Sequence, residues 1–213
     1  VPYADDYDRA GRVPEDLIQQ VSAAGLWAPF LPPEAGGIGM DMVTLGEVHE
    51  EVGRGCSSLR SLLTVHTMLA WTVQRWGTPE QRERWTPSLA SGDVLGAFCL
   101  SEPGAGSDTS GITTTATETG SGWVINGVKK WTTGGQRADL FLVFARTAAS
   151  IGAFLVPRDA PGVSVEPIDD MLGTRASMLA QITFEDVALG RDALLGPSGF
   201  TAGMVLTGTL DLG

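Results

Sequence analysis

Phe98-Cys99-Leu100-Ser101-Glu102-Pro103-Gly104-Ala105-Gly106-Ser107-Asp108 leaves an apolar run and enters a loop of small residues. The run from Leu95 to Leu100 has the length and composition of a buried strand. The glycines and hydroxyls that follow let a backbone approach a ligand closely. Two readings stand for the loop: a cradle whose amides and hydroxyls hold an anionic phosphate, or an ordinary Gly-rich turn. It is not a P-loop, because no Gly-Lys-Ser/Thr follows. It is not a Rossmann turn either, because no helical pattern opens after it. Glu102 is open to two roles, a catalytic carboxylate or a residue that fixes the turn.

Upstream of this stretch the pattern is helical. Pro14 suits a helix start, with Glu15 and Asp16 in the first turn and Leu17, Val21 and Ala24 at helical spacing before Gly25. Phe30 to Gly37 reads as a turn-rich loop. Asp41 caps a helix carrying Met42, Leu45, Val48 and Val52 on one face. A longer helix is expected from about Ser58 to Trp76, with Leu59, Leu62, Leu69 and Val73 in its stripe. Thr78-Pro79-Glu80-Gln81 is a capping box that opens another helix at Pro79.

Downstream the period changes. Eight short runs rich in β-branched residues are expected as strands, at 95–100, 112–117, 123–125, 128–133, 140–145, 153–156, 163–168 and 181–187. Asn126-Gly127 between the third and fourth reads as a hairpin turn. Strands of that length and spacing suit a barrel or sandwich. From Gly199, with Phe200, Met204, Val205 and Leu210, a helical pattern resumes. The expected architecture is α+β: a helical N-terminal domain (1–95), a β-barrel middle domain (96–196) and the start of a C-terminal helical bundle (197–213).

A second candidate segment is Lys129-Lys130-Trp131-Thr132-Thr133-Gly134-Gly135. An indole beside two hydroxyls and two glycines suits a flat ring with polar edges, and equally suits a core Trp in a barrel. His49 and His66 lie in helical runs with no ligand partner at metal spacing, and read as structural or surface residues.

Composition narrows the classes. Hydrophobic residues make up 43% of the 213, enough for a packed core. The formal net charge is −11, which lacks the basic face that phosphate backbones require, so nucleic acid is not an expected partner. No apolar run reaches the roughly 20 residues of a membrane helix. Cys56 and Cys99 are the only cysteines, too few for a disulfide framework, and a reducing cytoplasm is the default.

The stretch from Phe98 to Asp108 resembles the flavin-binding signature of the acyl-CoA dehydrogenase family, aromatic-x-x-Ser/Thr-Glu-Pro-x-Ala-Gly-Ser-Asp. Further matches follow in family order: the Leu31–Gly37 loop, Val124-Ile125-Asn126-Gly127 with Lys130-Trp131-Thr132-Thr133, and Phe184-Glu185-Asp186-Val187 with Leu194-Leu195-Gly196. The resemblance implies FAD as cofactor and an acyl thioester, on coenzyme A or an acyl carrier protein, as substrate. It implies that Phe98, Leu100 and Ser101 line the flavin. Gly106 and Ser107 would sit near the pyrophosphate and the thioester's carrier, Trp131 and Thr132 beside the ring, and Thr133 near flavin N5. Gly134 stands where many members carry Asn. Ser177, in Gly173-Thr174-Arg175-Ala176-Ser177, is a substrate-side candidate. The family's catalytic glutamate is expected beyond Gly213, so no catalytic residue is assigned within this chain. The stretches Cys56–Ser61 and Ala70–Arg75 look like members that serve polyketide extender-unit pathways of the hydroxymalonyl or methoxymalonyl type. A homo-oligomer and an electron-accepting partner are further implications. A same-fold oxidase or monooxygenase, and a non-catalytic interaction module, are the rival readings.

Overall fold

The computed structural model describes residues 3–196. The expected helix after Gly199, and the 197–213 segment as a whole, lie outside the described residues. Among the described residues five α-helices come first: α1 (Ala4–Ala10), α2 (Glu15–Ala23), α3 (Met42–Gly55), α4 (Ser57–Trp76) and α5 (Pro79–Ser91). The sequence signals for α2 to α5 hold to within a residue or two, whereas α1 was not expected. Pro14 is the N-cap of α2. The Asp41 carboxylate accepts from the Val43 and Thr44 amides and starts α3. At α5 the Thr78 hydroxyl takes the Gln81 amide while the Gln81 side chain takes the Thr78 amide. No helix among the described residues is long and apolar enough to cross a membrane.

Seven strands follow: β1 (Gly96–Cys99), β2 (Thr115–Glu118), β3 (Gly122–Thr132), β4 (Leu140–Arg146), β5 (Ile151–Pro157), β6 (Val163–Pro167) and β7 (Ala180–Gly190). They form one curled mixed sheet in the order β1-β4-β2-β3-β7-β6, with β5 on the far side of β4. Strand β4 has a continuous apolar run because both its faces are covered. Leu140, Leu142 and Phe144 pack with Leu69, Ala70 and Val73 of α4. Phe141, Val143 and Ala145 pack with Ile125, Ile182 and Phe184 across the concave side of the sheet. The helical domain is therefore fused to the sheet through one shared core.

The expected hairpin at Asn126-Gly127 is corrected to a single 11-residue strand, which reduces eight strands to seven. Two bulges explain the misleading signal. From Ile125 to Gly127, β3 advances two residues while β7 advances three, from Val187 to Phe184. The extra residue belongs to β7, where Asp186 has φ 49°. Asn126 braces that bulge: its Nδ2 donates to Asp186 Oδ1 at 3.0 Å and its Oδ1 accepts the Asp186 amide at 2.9 Å. Gly127 is required for closeness, since a Cβ there would lie 2.5 Å from the Thr114 hydroxyl. The Asn-Gly pair serves a bulge, not a turn.

His66 links α4, α5 and β1. Its Nδ1 accepts the Gly96 amide at 3.1 Å, so Nε2 carries the proton and donates to the Leu89 carbonyl at 2.9 Å. Burial pushes the imidazole down to about 4, against the opposing pull of the Leu89 carbonyl. The neutral ring is the one the fold needs, so this stability is present above pH about 6.5 and is lost as pH falls through about 4. Urea unfolding is expected to show a wild-type loss of roughly 3 kcal/mol across that window that His66→Gln does not share. Parallel pH dependence in the two proteins would contradict it.

Candidate functional site

Strand β1 ends at Cys99, and the chain turns into the Gly-rich loop through a tight reversal. The Glu102 amide donates to the Ala105 carbonyl at 2.8 Å, and the Ala105 amide returns to the Glu102 carbonyl at 3.2 Å. Beyond it Gly104 and Gly106 face open space, and Gly106 and Ser107 are exposed. Among the described residues no protein acceptor takes the Gly106 or Ser107 amide. Asp108 is committed locally: its carboxylate accepts the Ser110 amide and hydroxyl, which hold it below the usual carboxylate range.

The second candidate segment lies beside this loop. The Lys130 amide donates to the Ser101 carbonyl at 2.8 Å, so β3 runs against residues 100–102. Between Lys129 and Thr132, β3 advances three residues while β7 advances two, a second bulge of the opposite sense. Trp131 sits in that bulge with φ 63°. A bulky residue in the left-handed region costs about 1–3 kcal/mol and is found mostly where function demands it. Its side chain is 50% exposed, the opposite of a core Trp. The Lys130 ammonium lies 5.0 Å from the Trp131 ring centroid, in cation–π range.

The remaining sequence candidates divide. Ser101 and Thr133 are half-buried, and neither hydroxyl has a protein partner among the described residues. Ser101 meets β3 through its carbonyl, which accepts the Lys130 amide, and Thr133 follows Trp131 by two residues. Phe98 is occupied with Phe144 at 5.2 Å, and Leu100 is buried in the core between α4 and the sheet. Thr132, expected at the cofactor, is turned inward: it is 1% exposed, with its hydroxyl 3.6 Å from the Cys99 sulfur. The bulge at Trp131 shifts the strand's alternation by one residue, which returns Thr132 to the inward face that Lys129 occupies. Ser177 is 3% exposed, and its hydroxyl donates to the Thr174 carbonyl in its own turn. Its backbone still reaches the site, because the Gly134 amide donates to the Ser177 carbonyl at 2.8 Å. Gly134 is left-handed, with φ 71°.

Residues missed from sequence sit beneath the loop. Lys129 is fully buried and pairs with buried Glu102 at 2.7 Å. Lys129 Nζ also donates to the Leu100 carbonyl at 3.0 Å. Glu102 accepts in addition from the Thr113 amide (2.6 Å), the Thr113 hydroxyl (2.8 Å) and the Thr114 amide (3.0 Å). Burial alone would raise the Glu102 carboxyl, but the bonds from Lys129, Thr114 and Thr113 outweigh it and bring it to about 2. Glu102 is thus an anchored carboxylate and not a free acid or base. The signal for Lys129 was the two-residue period of β3, which places it on the inward face with Ile125.

Residues 1–93 match the acyl-CoA dehydrogenase N-terminal domain and residues 97–187 match the middle domain. The chain belongs to the acyl-CoA dehydrogenase family. Short-chain specific acyl-CoA dehydrogenase of Bos taurus mitochondria is 38% identical over 218 aligned positions, covering 100% of this chain and 53% of the relative. Glutaryl-CoA dehydrogenase of Desulfococcus multivorans is 32% identical, covering 96% and 55%. The chain spans about half the length of the curated relatives it matches. Among solved structures, FkbI, described as serving biosynthesis of the methoxymalonyl extender unit of the polyketide Fk520, superposes with a TM-score of 0.92 at 37% identity, covering 98% of this chain and 59% of that one. Glutaryl-CoA dehydrogenase of Mycobacterium smegmatis in complex with FADH2 gives 0.93 at 32% identity, covering 99% and 54%.

The exposed, strained Trp131 yields a direct expectation. Trp131→Gly removes the left-handed penalty together with the covered half of the indole, two terms of similar size and opposite sign, so unfolding stability of the unliganded chain should change by less than about 1 kcal/mol. A core indole such as Trp27, 1% exposed, should cost about 3–5 kcal/mol when cut to Ala. Equal losses in urea unfolding would show that Trp131 is a packing residue.

Proposed function

We propose that this chain carries the flavin-facing part of an FAD-dependent acyl-thioester dehydrogenase. The observation that carries the reading is Trp131, lifted out of β3 by a bulge and half exposed, on a strand bonded to Ser101 and continuing to Thr133, whose hydroxyls have no protein partner among the described residues. The exposed amides of Gly106 and Ser107 complete a cradle with one flat apolar wall, a polar edge and an anion-binding tip. That donor set fits a ring system joined to a pyrophosphate. FAD, when bound, supplies the hydride acceptor for oxidation of the acyl group.

The residues of the chain then have distinct tasks. Trp131 offers its indole face to the ring and excludes water from it. The Ser101 and Thr133 hydroxyls orient the ring by bonding to its edge. Gly106 and Ser107 hold the pyrophosphate. The Gly134–Ser177 bond fixes the loop on the side assigned to the acyl carrier. Oxidation of an acyl thioester would also need a base for the α-proton, while these residues would hold the ring that supplies the hydride acceptor. Hydrogen bonds to the thioester carbonyl stabilise the enolate charge that develops. The base is assigned outside residues 3–196, because Glu102 and Asp108, the carboxylates of the cradle, are already committed to structural bonds.

The likeness to FkbI supports a small acyl group of the extender-unit kind on a carrier protein as substrate, and the equal likeness to short-chain specific acyl-CoA dehydrogenase supports a short acyl group on coenzyme A. The electron acceptor and a homo-oligomeric assembly belong to the same reading. Titration of the chain with FAD, followed by flavin fluorescence, tests it: saturable quenching is expected, weakened roughly tenfold or more by Trp131→Ala. No saturable binding by the wild-type chain, alone or in its full-length protein, would overturn it.

A further inference from the structure

The buried Lys129–Glu102 pair ties together the three segments that carry the cradle. We propose that it is the positioning element that keeps the anion-binding loop and the ring-facing strand in register. The inference rests on the proposed flavin reading for what the cradle holds, but not for how it is held.

The connections are specific. Lys129 Nζ donates to the Leu100 carbonyl and the Glu102 carboxylate, and the Lys130 amide donates to the Ser101 carbonyl between them. Each of residues 100–102 is thereby bonded to residue 129 or 130. On its other side Glu102 accepts from Thr113 and Thr114. Residues 102 and 113 are the two ends of the segment that bears Gly106 and Ser107, so one carboxylate closes the base of the whole loop. Strand β3 continues from Lys129 through Lys130 into the bulge that presents Trp131. Moving the ammonium moves the loop and the indole relative to one another.

A stability role explains this arrangement poorly. A buried ion pair gains little over a well-packed apolar pair of the same volume, because desolvation offsets the attraction. What charge adds is direction. An ammonium with two fixed acceptors, and a carboxylate with four donors, have one arrangement that satisfies them, whereas aliphatic side chains would let the segments slide.

The test uses the full chain with Lys129→Met and the charge-neutral double variant Lys129→Met/Glu102→Gln. The double variant leaves no unpaired buried charge and serves if the single one does not fold. Two readouts separate the claims. Amide hydrogen exchange of the unliganded protein is expected to rise at least tenfold at Lys130, Thr113 and Thr114, with the α4 core unchanged. FAD affinity is expected to fall at least tenfold, with an altered visible circular dichroism of the bound flavin. Wild-type exchange at those three amides in a folded variant would overturn the positioning role, as would wild-type flavin affinity and dichroism. Failure of the wild-type chain to bind FAD would count against the flavin reading alone, and hydrogen exchange would still decide the pair.

Discussion

The structure depends on a charge that has no route to water. Lys129 lies inside the sheet with an ammonium that must find acceptors, and it finds Glu102 and the Leu100 carbonyl. An orphaned charge at that depth would cost several kcal/mol, so the loop after β1 is held where its carboxylate meets the ammonium. Removing the Glu102 carboxylate would also strip the Thr113 and Thr114 amides of their acceptor. One buried pair thus converts a Gly-rich segment, which composition alone would leave free, into a loop with a defined base and an open tip.

The second constraint is the backbone at Trp131. Left-handed conformation at an indole, 50% of which faces solvent, places the ring outward at an energetic cost that the rest of β3 must bear. The same strand bears Ile125 and Lys129 inward and pairs with β7 on both sides of the two bulges. Rigid pairing supplies the support, and the bulge supplies the direction. The outcome is an exposed flat apolar surface on a strand that continues to Thr133, whose hydroxyl has no protein partner among the described residues, an arrangement that a packed core avoids.

Much of the fold was legible because each signal had a local cause. The Asp41 cap, the Thr78–Gln81 capping box and the apolar period of α4 are decided by residues within a few positions of each other. The apolar run at 140–145 was legible as a strand, and the structure shows it covered on both faces. Asn126-Gly127 misled because its partner, Asp186, lies 60 residues away, and a two-residue hairpin and a bulge brace use the same residue types. The site divided on the same principle. The loop's glycines and the segment holding Trp131 were legible as motifs, whereas the exposure of Trp131 was not, because a core indole and a ring-facing one use the same residues. The inward turn of Thr132 and the enclosure of the Ser177 hydroxyl followed from strand alternation at a bulge and from a turn whose geometry no spacing revealed. Lys129 was hidden by its neighbour, since a Lys-Lys pair reads as a solvated edge until β3 shows which of the two faces in.

The central claim is that Gly106–Ser107 and residues 130–134 form the two sides of one flavin cradle. Hydrogen–deuterium exchange of the protein with and without saturating FAD measures this most directly. The account predicts slowed exchange at the Gly106 and Ser107 amides and in the 130–134 segment together, with no change in α2 or β6. Protection confined to one side, or falling elsewhere in the molecule, would contradict it.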